Sequence, residues 1–228
     1  MDIGNIIELS IKTAKNREML WSVLINQIKT HSLLEVGVLR GEFSAYLLRN
    51  CSNIKKYFMI DPWKNLSDWN KPSNFNNKAF NLIYNEMLTN TEFAEKKRVI
   101  MQGKTLEVIH KIKDKSLDFI YIDGDHTLRG ITSDLISTWD KLKKGGLIGG
   151  DDFTPSIWQH DYTYEPTLVF PYAVYFAEAV GAKIYALPYN QFLIYKSNSK
   201  FEFIDLTEKY NDLELRNQVI SINNNPMK

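Results

Sequence analysis

Residues 32–41 read Ser-Leu-Leu-Glu-Val-Gly-Val-Leu-Arg-Gly, a short apolar run that closes on the first of two glycines. Such a run is typical of a buried parallel strand, and the apolar spacing after Gly41 predicts a helix. Gly37 and Gly41 let the backbone turn tightly and approach a ligand closely. The spacing is G-x-x-x-G, so the dinucleotide-binding pattern G-x-G-x-x-G is absent here. The loop is therefore either a ligand site or a plain strand-to-helix turn.

The alternation of strand and helix continues on both sides of this unit. Upstream, apolar residues at helical spacing between positions 6 and 28 predict one or two helices. Downstream, four more strands are predicted at 57–60, 98–101, 117–122 and 147–150, with helices between them. The Lys-Lys-Gly-Gly run at 143–146 is expected to close the last of those helices. This alternation predicts a parallel sheet with right-handed crossovers.

The end of the chain departs from this alternation. Residues 183–187 and 191–195 are apolar, and the three residues between them are too few for a crossover, so they predict an antiparallel hairpin. The expected fold is α/β: a Rossmann-like, doubly wound, mostly parallel sheet of seven strands ending in that hairpin. We expect one domain over 1–200 with a helical extension at 1–30. The tail at 201–228 is expected to be partly disordered, with a short strand at its start left open.

The composition excludes several classes of protein. The chain has 228 residues, with 28 Lys and Arg against 27 Asp and Glu, so its formal charge is +1. That balance, without a basic stripe, argues against a nucleic-acid partner. Residues 1–12 do not have the pattern of a secretory signal, no apolar run reaches membrane length, and the single cysteine, Cys51, allows no internal disulfide. We therefore expect a cytoplasmic protein with no membrane partner, and homo-oligomerisation stays open.

An acid follows the second predicted strand, as Asp61 in Met-Ile-Asp-Pro-Trp at 59–63. An acid at this position can accept hydrogen bonds from both ribose hydroxyls of an adenosine ligand. Aspartate before proline is also a common turn signal. Its pairing with the glycine loop favours the ligand-binding interpretation.

Carboxylates also follow two later strands. Asp123 stands in Asp-Phe-Ile-Tyr-Ile-Asp-Gly-Asp-His at 118–126, and Asp151 and Asp152 stand in Gly-Gly-Asp-Asp-Phe at 149–153. Because adjacent parallel strands end close together, these acids converge and would repel one another unless a cation neutralised them. All-oxygen ligation suits Mg²⁺, Mn²⁺ or Ca²⁺ rather than zinc. At any one position a solvated turn aspartate is the better interpretation, but the coincidence at neighbouring strand ends favours a metal site.

With these motifs the chain resembles a class I S-adenosylmethionine-dependent methyltransferase over residues 30–196. Element order, the Glu-Val-Gly-x-x-x-Gly loop, the acid after the second strand and the terminal hairpin carry the resemblance. It implies that 1–200 is a class I methyltransferase domain whose loop approaches the methionine part of the cofactor and whose second-strand acid holds the ribose. The implied cofactor residues are Glu35, Gly37, Gly41, Asp61, Gln102, Gly103, Asp123 and Asp125. Many members carry an acid where Lys104 follows Gly103.

The aspartate motifs narrow the resemblance. They are similar to those of the metal-dependent O-methyltransferases of the catechol and caffeoyl-CoA types, and more closely to the bacterial macrolide-sugar O-methyltransferases. The resemblance implies Asp123, Asp151 and Asp152 as metal ligands. Catechol-type members often have Asp-Asn where this chain has Asp-Asp, so the chain resembles the sugar-modifying branch more closely. The implied function is O-methylation of a small hydroxylated acceptor, such as a sugar or a diol.

Two residues are candidates for the chemistry. A metal held by Asp123 would lower the pKa of the acceptor hydroxyl and fix its oxygen in line with the sulfonium. His126 is the candidate general base, because an unperturbed imidazole titrates near neutrality. A cofactor contact or a neighbour of a helix N-cap is the alternative for His126. The irregular stretches at 62–75 and 153–167 contain several aromatic residues, and we expect them either to cover the acceptor or to form dimer contacts.

Three other functions stay open from the residues alone. A metal-independent methyltransferase of the same fold would use the aspartates only in turns. A nucleotide-binding oxidoreductase is disfavoured by the missing third glycine and by the hairpin. A non-catalytic cofactor-binding module would retain the loop and Asp61 but lose the metal.

Overall fold

The computed structural model describes residues 2–210, which form an α/β fold on an eight-stranded sheet. The strands are β1 (Ser32–Val36), β2 (Lys56–Asp61), β3 (Arg98–Gln102), β4 (Leu117–Ile122), β5 (Leu142–Gly150), β6 (Lys183–Leu187), β7 (Gln191–Tyr195) and β8 (Glu202–Asp205). The α-helices are α1 (Ile3–Thr13), α2 (Arg17–Gln27), α3 (Glu42–Asn50), α4 (Asn77–Asn90), α5 (Thr105–Val108), α6 (Leu128–Trp139) and α7 (Val169–Ala179). Short 3₁₀ helices follow α4 and α5.

The order of the strands fixes where a ligand can bind. Across the sheet the order is β3-β2-β1-β4-β5-β7-β6-β8, and β1 to β5 pair in parallel. Strand β7 inserts antiparallel between β5 and β6. Because β1 is flanked by β2 on one side and β4 on the other, the direction of winding reverses beside it, and ligands bind at such a point beyond the carboxyl ends of the strands. The Rossmann-like class and the hairpin predicted from the sequence are confirmed.

The sheet has one strand more than the seven expected. Strand β8 pairs in parallel with β6, so that Phe203 lies opposite Ile184. It is four residues long and mostly half-buried, so its sequence gives little strand signal. This strand lies in the stretch expected to be a tail. The rest of that expectation, a disordered end from 211 onward, falls outside the described residues.

The expectation for the Lys-Lys-Gly-Gly run at 143–146 is wrong. Helix α6 already ends at Trp139, and β5 begins at Leu142. The Gly145 N–H donates to the Lys196 carbonyl at 2.7 Å, and the Lys196 N–H donates to the Gly146 carbonyl at 3.0 Å. The run is therefore an irregular part of β5 that pairs with the chain after β7, where the register with β4 shifts. This partner comes from distant sequence, so local pattern could not reveal it.

Apolar side chains cover both faces of the sheet. Helices α1 to α4 pack on one face, and α5 to α7 pack on the other. Alternate strand residues serve the two faces, with Leu33 in the first cluster and Leu34 in the second. Trp21 of α2 is fully buried against Phe119 and Tyr121 of β4. The N-terminal helices therefore contribute side chains to the core.

Within residues 2–210, none of the helices combines the length and the apolar character needed to cross a bilayer.

Candidate functional site

A cleft of about 580 Å³ opens where β1, β2 and β4 end. This is the point at which the winding of the sheet reverses, so the fold itself places a ligand site here. The residues predicted from the sequence that line the cleft are Glu35, Gly37, Asp61, Gly103, Asp123, Asp125 and His126. The other predicted residues, Gly41, Gln102, Asp151 and Asp152, border this region without lining the cleft.

Gly37 brings the loop after β1 against the chain after β4. Its φ is +86°, and a Cβ atom at this position would lie 1.9 Å from the carbonyl oxygen of Asp123. The Asp123 N–H donates to the Val36 carbonyl at 2.8 Å, which fixes this close approach. Only glycine allows both the left-handed backbone and the contact. Gly41 is instead the N-cap of α3 and lies against Met87, so it serves helix packing.

Asp61, the last residue of β2, holds the same loop from the other side. Its Oδ2 accepts from the N–H groups of Val38 at 3.0 Å and Leu39 at 2.9 Å. Its Oδ1 accepts from the Trp63 N–H at 2.7 Å. Burial raises the pKa of Asp61, and these three bonds oppose the rise. Each carboxylate oxygen has two acceptor sites, so Oδ1 retains one for a ligand hydroxyl in the cleft.

Glu35 forms part of the cleft but its bonds go to the protein. Its Oε2 accepts from the hydroxyls of Ser44 and Tyr57, the latter at 2.7 Å. The side chain is fully buried, and this burial raises the pKa of Glu35 to about 8. At neutral pH a carboxyl with this pKa is mostly protonated. Glu35 therefore ties β1 to α3 and β2, beneath the glycine loop.

Glu35 makes stability depend on pH. Its pKa of about 8 in the folded protein lies above the ordinary 4.5. The stability it contributes is therefore complete below about pH 4.5, and it is lost at about 1.4 kcal/mol per pH unit as pH rises toward 8. Glu35→Gln stays neutral at every pH. We therefore expect its free energy of unfolding, measured by urea denaturation, to rise relative to that of the wild type by about 1.4 kcal/mol per pH unit between pH 5 and 8. Asp134, whose pKa burial raises to about 7, adds a slope of the same sign to both proteins. Parallel pH profiles would contradict this role for Glu35.

Of the two residues expected to contact the adenine, Gly103 and Gln102, only Gly103 lines the cleft. Gly103 lines the cleft, with φ of +149° and a hypothetical Cβ 2.8 Å from Val108. Gln102 is exposed, and its Nε2 donates to the Pro62 carbonyl at 3.4 Å. Lys104, which stands where many methyltransferases of this type carry an acid, pairs with Asp68 at 3.2 Å. An acid thus reaches the rim from a different loop.

Three predicted residues converge at the ends of β4 and β5. One ligand atom each from Asp123, His126 and Asp152 lie within 4.8 Å of one another. His126 Nδ1 lies 2.7 Å from Asp152 Oδ2, and its Nε2 lies 3.5 Å from Asp123 Oδ1. That Nε2 is buried and has no hydrogen-bond partner among the described residues. Two carboxylates and an orphaned imidazole nitrogen form a donor set that fits a divalent cation.

Asp151 lies beside this group, but its carboxylate is already engaged. One oxygen forms an ion pair with Arg17. The other accepts from the Asp152 N–H at 2.8 Å and from Gln191 Nε2 at 2.6 Å. Of the three expected metal ligands, the structure brings Asp123 and Asp152 together with His126. It turns Asp151 toward Arg17 and Gln191.

The charge of His126 bears on its expected role. Burial lowers the pKa of His126, but Asp152 and Asp123 outweigh burial and raise that pKa to about 10. An imidazolium has no acceptor and cannot take a proton. A general-base role, like ligation of a metal through Nε2, therefore requires that the imidazole first loses its proton, which it does when at least one of these carboxylates turns to another partner. That role stays a prediction.

Two loops interlock above the site. The Asn70 N–H donates to Glu165 Oε2 at 2.8 Å, and Lys71 Nζ donates to the Glu165 carbonyl at 2.7 Å and to Thr167 Oγ1 at 3.1 Å. The buried Lys71 and, from the opposite loop, His160 line the cleft. The stretches 62–75 and 153–167 therefore form one cover over the cleft.

Asp125 belongs to the same wall and orients the cover. Its Oδ1 accepts from Trp69 Nε1 at 2.9 Å and from the Thr127 N–H at 2.9 Å. The first bond fixes the loop at 62–75, and the second begins α6. Asp125 lines the cleft as predicted, yet its polar contacts are to the protein.

Sequence reasoning missed Arg17 and Gln191. Gln191 is fully buried, and its Oε1 accepts from Trp21 Nε1 at 2.7 Å and from the Tyr121 hydroxyl at 2.8 Å. Arg17 is the first residue of α2. The N-terminus of a helix favours acids and disfavours cations, so an arginine there was a usable sign of an acidic partner elsewhere.

A family model described as a methyltransferase domain matches residues 34–153, more than half of the 228 residues. No curated protein matches the sequence of this chain. Among solved structures, a candidate caffeoyl-CoA O-methyltransferase from Staphylococcus aureus has a TM-score of 0.61 at 18% identity, over 86% of this chain and 92% of that chain.

Two further similar structures are complexes with SAH or SAM. The O-methyltransferase from Bacillus cereus in complex with SAH has a TM-score of 0.58 at 15% identity, over 85% of this chain and 89% of that chain. The O-methyltransferase TomG from Streptomyces achromogenes, involved in tomaymycin synthesis and in complex with SAM, has a TM-score of 0.57 at 11% identity, over 85% and 88%. At such identities these likenesses show a shared fold.

Proposed function

We propose that this chain, which belongs to the family of methyltransferase domains, transfers the methyl group of S-adenosylmethionine to a hydroxyl oxygen of a small molecule. The match to the methyltransferase-domain family confirms the enzyme class predicted from the sequence, a methyltransferase. One observation carries the rest of the proposal. The cleft has the glycine loop and Asp61 at one end and the group of Asp123, His126 and Asp152 beside it.

The residues of the cleft fit the cofactor. Gly37 lines the cleft and lets the loop after β1 close against the Asp123 backbone, and Asp61 retains an acceptor site for a ribose hydroxyl. Gly103 supplies a wall without a side chain. We assign the methionine part to the loop after β1 and the ribose to Asp61. The adenine lies by Gly103, with Gln102 at the rim.

We further propose a divalent cation, Mg²⁺ or Mn²⁺, at the group of Asp123, His126 and Asp152. The orphaned Nε2 of His126 and the two converging carboxylates support this assignment. Asp123 and Asp152 would hold the ion, with Asp151 joining them if Arg17 releases it. When bound, the ion would lower the pKa of an acceptor hydroxyl and hold its oxygen in place.

The residues of the chain account for the remaining parts of the reaction. The acceptor oxygen attacks the methyl carbon, the carbon–oxygen bond forms as the carbon–sulfur bond breaks, and the hydroxyl proton leaves. Within the group of Asp123, His126 and Asp152, the His126 imidazole is the side chain able to take that proton once its carboxylate partners are engaged elsewhere. The cover formed by 62–75 and 153–167 excludes water and holds the acceptor against the cofactor.

The proposed acceptor is a small polyhydroxylated molecule such as a sugar or a diol. Cationic and acidic side chains both line the cleft beside the aromatic Trp69. Hydroxyls can bond to such charged groups, and the aromatic face can pack on an acceptor ring. The formal charge of +1 gives no reason for a nucleic-acid partner. The buried, unpaired Cys51 suits the cytoplasm, which is the compartment we propose.

Calorimetry on the metal-stripped protein tests the proposal. We expect one S-adenosylmethionine per chain, together with a Mn²⁺ signal that an Asp123→Asn, Asp152→Asn double variant loses. Asp114→Asn, which removes an exposed ion pair with Lys141, is the control and should retain both signals. Sugars and diols are then screened for methyl transfer. Absence of cofactor binding would overturn the proposed reaction, whereas cofactor binding without a Mn²⁺ signal would overturn only the metal.

A metal-independent reaction is the second candidate, and one observation favours it. Arg17 already supplies a positive charge to Asp123 and Asp151. Methyl transfer that persists in excess chelator would support this candidate.

A further inference from the structure

Arg17 places a positive charge beside Asp123 and Asp151, although it lies outside the region that the methyltransferase family model matches. It is the first residue of α2, whereas the matched family region begins at residue 34. One guanidinium nitrogen forms an ion pair with Asp151 and donates to Asp123 Oδ2 at 3.2 Å. The side chain lines the cleft, so it reaches from the N-terminal helices into the proposed active site.

The position of Arg17 is electrostatically unfavourable for its own helix, and the ion pairs with Asp123 and Asp151 offset this cost. A cation at the first residue of a helix faces the positive end of the helix dipole. Glu18 offsets part of this, with its Oε1 3.1 Å from Arg17 Nε, and the guanidinium lies 5.7 Å from the centre of the Phe43 ring. These contacts hold the guanidinium in one place. Without it, the carboxylates of Asp123 and Asp151 would lose the cation that now contacts both of them.

We propose that Arg17 is an internal cation that competes with the divalent metal for the carboxylates of Asp123 and Asp151. This inference rests on the metal in the proposed function. The metal gains Asp151 as a ligand only when Arg17 withdraws from it. Arg17 is therefore a positioning residue that sets the metal affinity of the site and couples metal binding to the first turn of α2.

Competition of this kind has a direct signature in metal affinity. A single charge a few Å from a divalent ion opposes its binding, so its removal is expected to tighten Mn²⁺ binding by about tenfold or more. Arg17→Gln removes the charge and leaves a shorter polar side chain. Arg17→Lys keeps the charge but loses the Nε contact with Glu18 that helps to hold the side chain in place, so its affinity for Mn²⁺ should lie between those of the wild type and Arg17→Gln.

The experiment titrates the metal-stripped full chain with Mn²⁺ and follows the free ion by electron paramagnetic resonance, without cofactor or acceptor. The variants are Arg17→Gln, Arg17→Lys and Arg49→Gln. Arg49 lies over the Phe93 ring and provides the matched loss of one positive charge away from the acids. We expect Arg17→Gln to bind Mn²⁺ at least about tenfold more tightly than the wild type and Arg49→Gln to match the wild type. Urea denaturation of each variant confirms that it is folded.

The outcomes separate this inference from the proposed function. Mn²⁺ binding by the wild type that Arg17→Gln does not tighten overturns the competition and leaves the metal site standing. Binding by Arg17→Gln alone supports the competition in its strongest form and removes the metal from the native reaction. An absence of binding by every folded variant overturns both the competition and the metal, while calorimetry with S-adenosylmethionine still decides methyl transfer. Equal tightening in Arg49→Gln overturns a local role for Arg17.

Discussion

Alanine at Gly37 is expected to abolish cofactor binding and to lower the free energy of unfolding by about 3 kcal/mol or more. The new Cβ would lie 1.9 Å from the Asp123 carbonyl oxygen and 2.7 Å from the Gly124 Cα, both of which are backbone atoms. Neither can move aside without separating β1 from β4, since the Asp123 N–H is bonded to the Val36 carbonyl. The φ of +86° adds a second cost in stability, because residues with a Cβ atom rarely adopt that backbone conformation. Urea denaturation and calorimetry with S-adenosylmethionine measure the two effects.

Gly145→Ala separates the two causes. Gly145 has a similar φ of +80°, but no described atom lies within 4 Å of its hypothetical Cβ. Alanine there should cost only the left-handed conformation, about 1 to 2 kcal/mol, and cofactor affinity should stay within about twofold of the wild type. Comparable losses of stability and of cofactor binding in the two variants would show that the contact with Asp123 is not what Gly37 provides.

The parts of the fold that the sequence predicts are those set by local pattern. Strand β1 is an apolar run closed by glycine, and β4 is a similar run closed by an aspartate. The three-residue connection between β6 and β7 allows only a hairpin, which is present. Because strand ends in a parallel sheet share one edge, the positions of Asp61 and Asp123 beside the cleft also follow from sequence alone.

The parts that the sequence does not predict depend on partners distant along the chain. The Lys-Lys-Gly-Gly run resembles a helix end, yet its glycines pair with Lys196 in the sheet. The ligand set was predicted from acid positions, but the direction of the Asp151 carboxylate is decided by Gln191 and Arg17. Neither residue carries a motif. Side-chain pairing across distant elements is therefore where sequence reasoning about this site ends.

Asp61→Asn is expected to weaken the binding of S-adenosylmethionine about 10- to 100-fold. The Asp61 carboxylate serves two loop amides on one oxygen and the Trp63 amide on the other. An asparagine has one acceptor oxygen, so its NH₂ group must face at least one N–H donor. The glycine loop then loses its anchor, or Trp63 loses its bond, and the ribose loses a charged acceptor. Calorimetric titration with S-adenosylmethionine measures the change.

Asp118→Asn is the matched control, because Asp118 makes similar bonds far from the cleft. Its Oδ2 accepts from the N–H groups of His31 at 2.9 Å and Ser32 at 2.8 Å, and its other oxygen pairs with Lys143. It lies near the start of β4, whereas Asp61 lies at the end of β2. The two acids are therefore at opposite ends of the parallel strands. We expect Asp118→Asn to lose stability but to keep its cofactor affinity within about twofold of the wild type, because the cleft is untouched. Equal losses of affinity in both variants would mean that Asp61 acts through general stability, and the assignment of the ribose to its carboxylate would then fail.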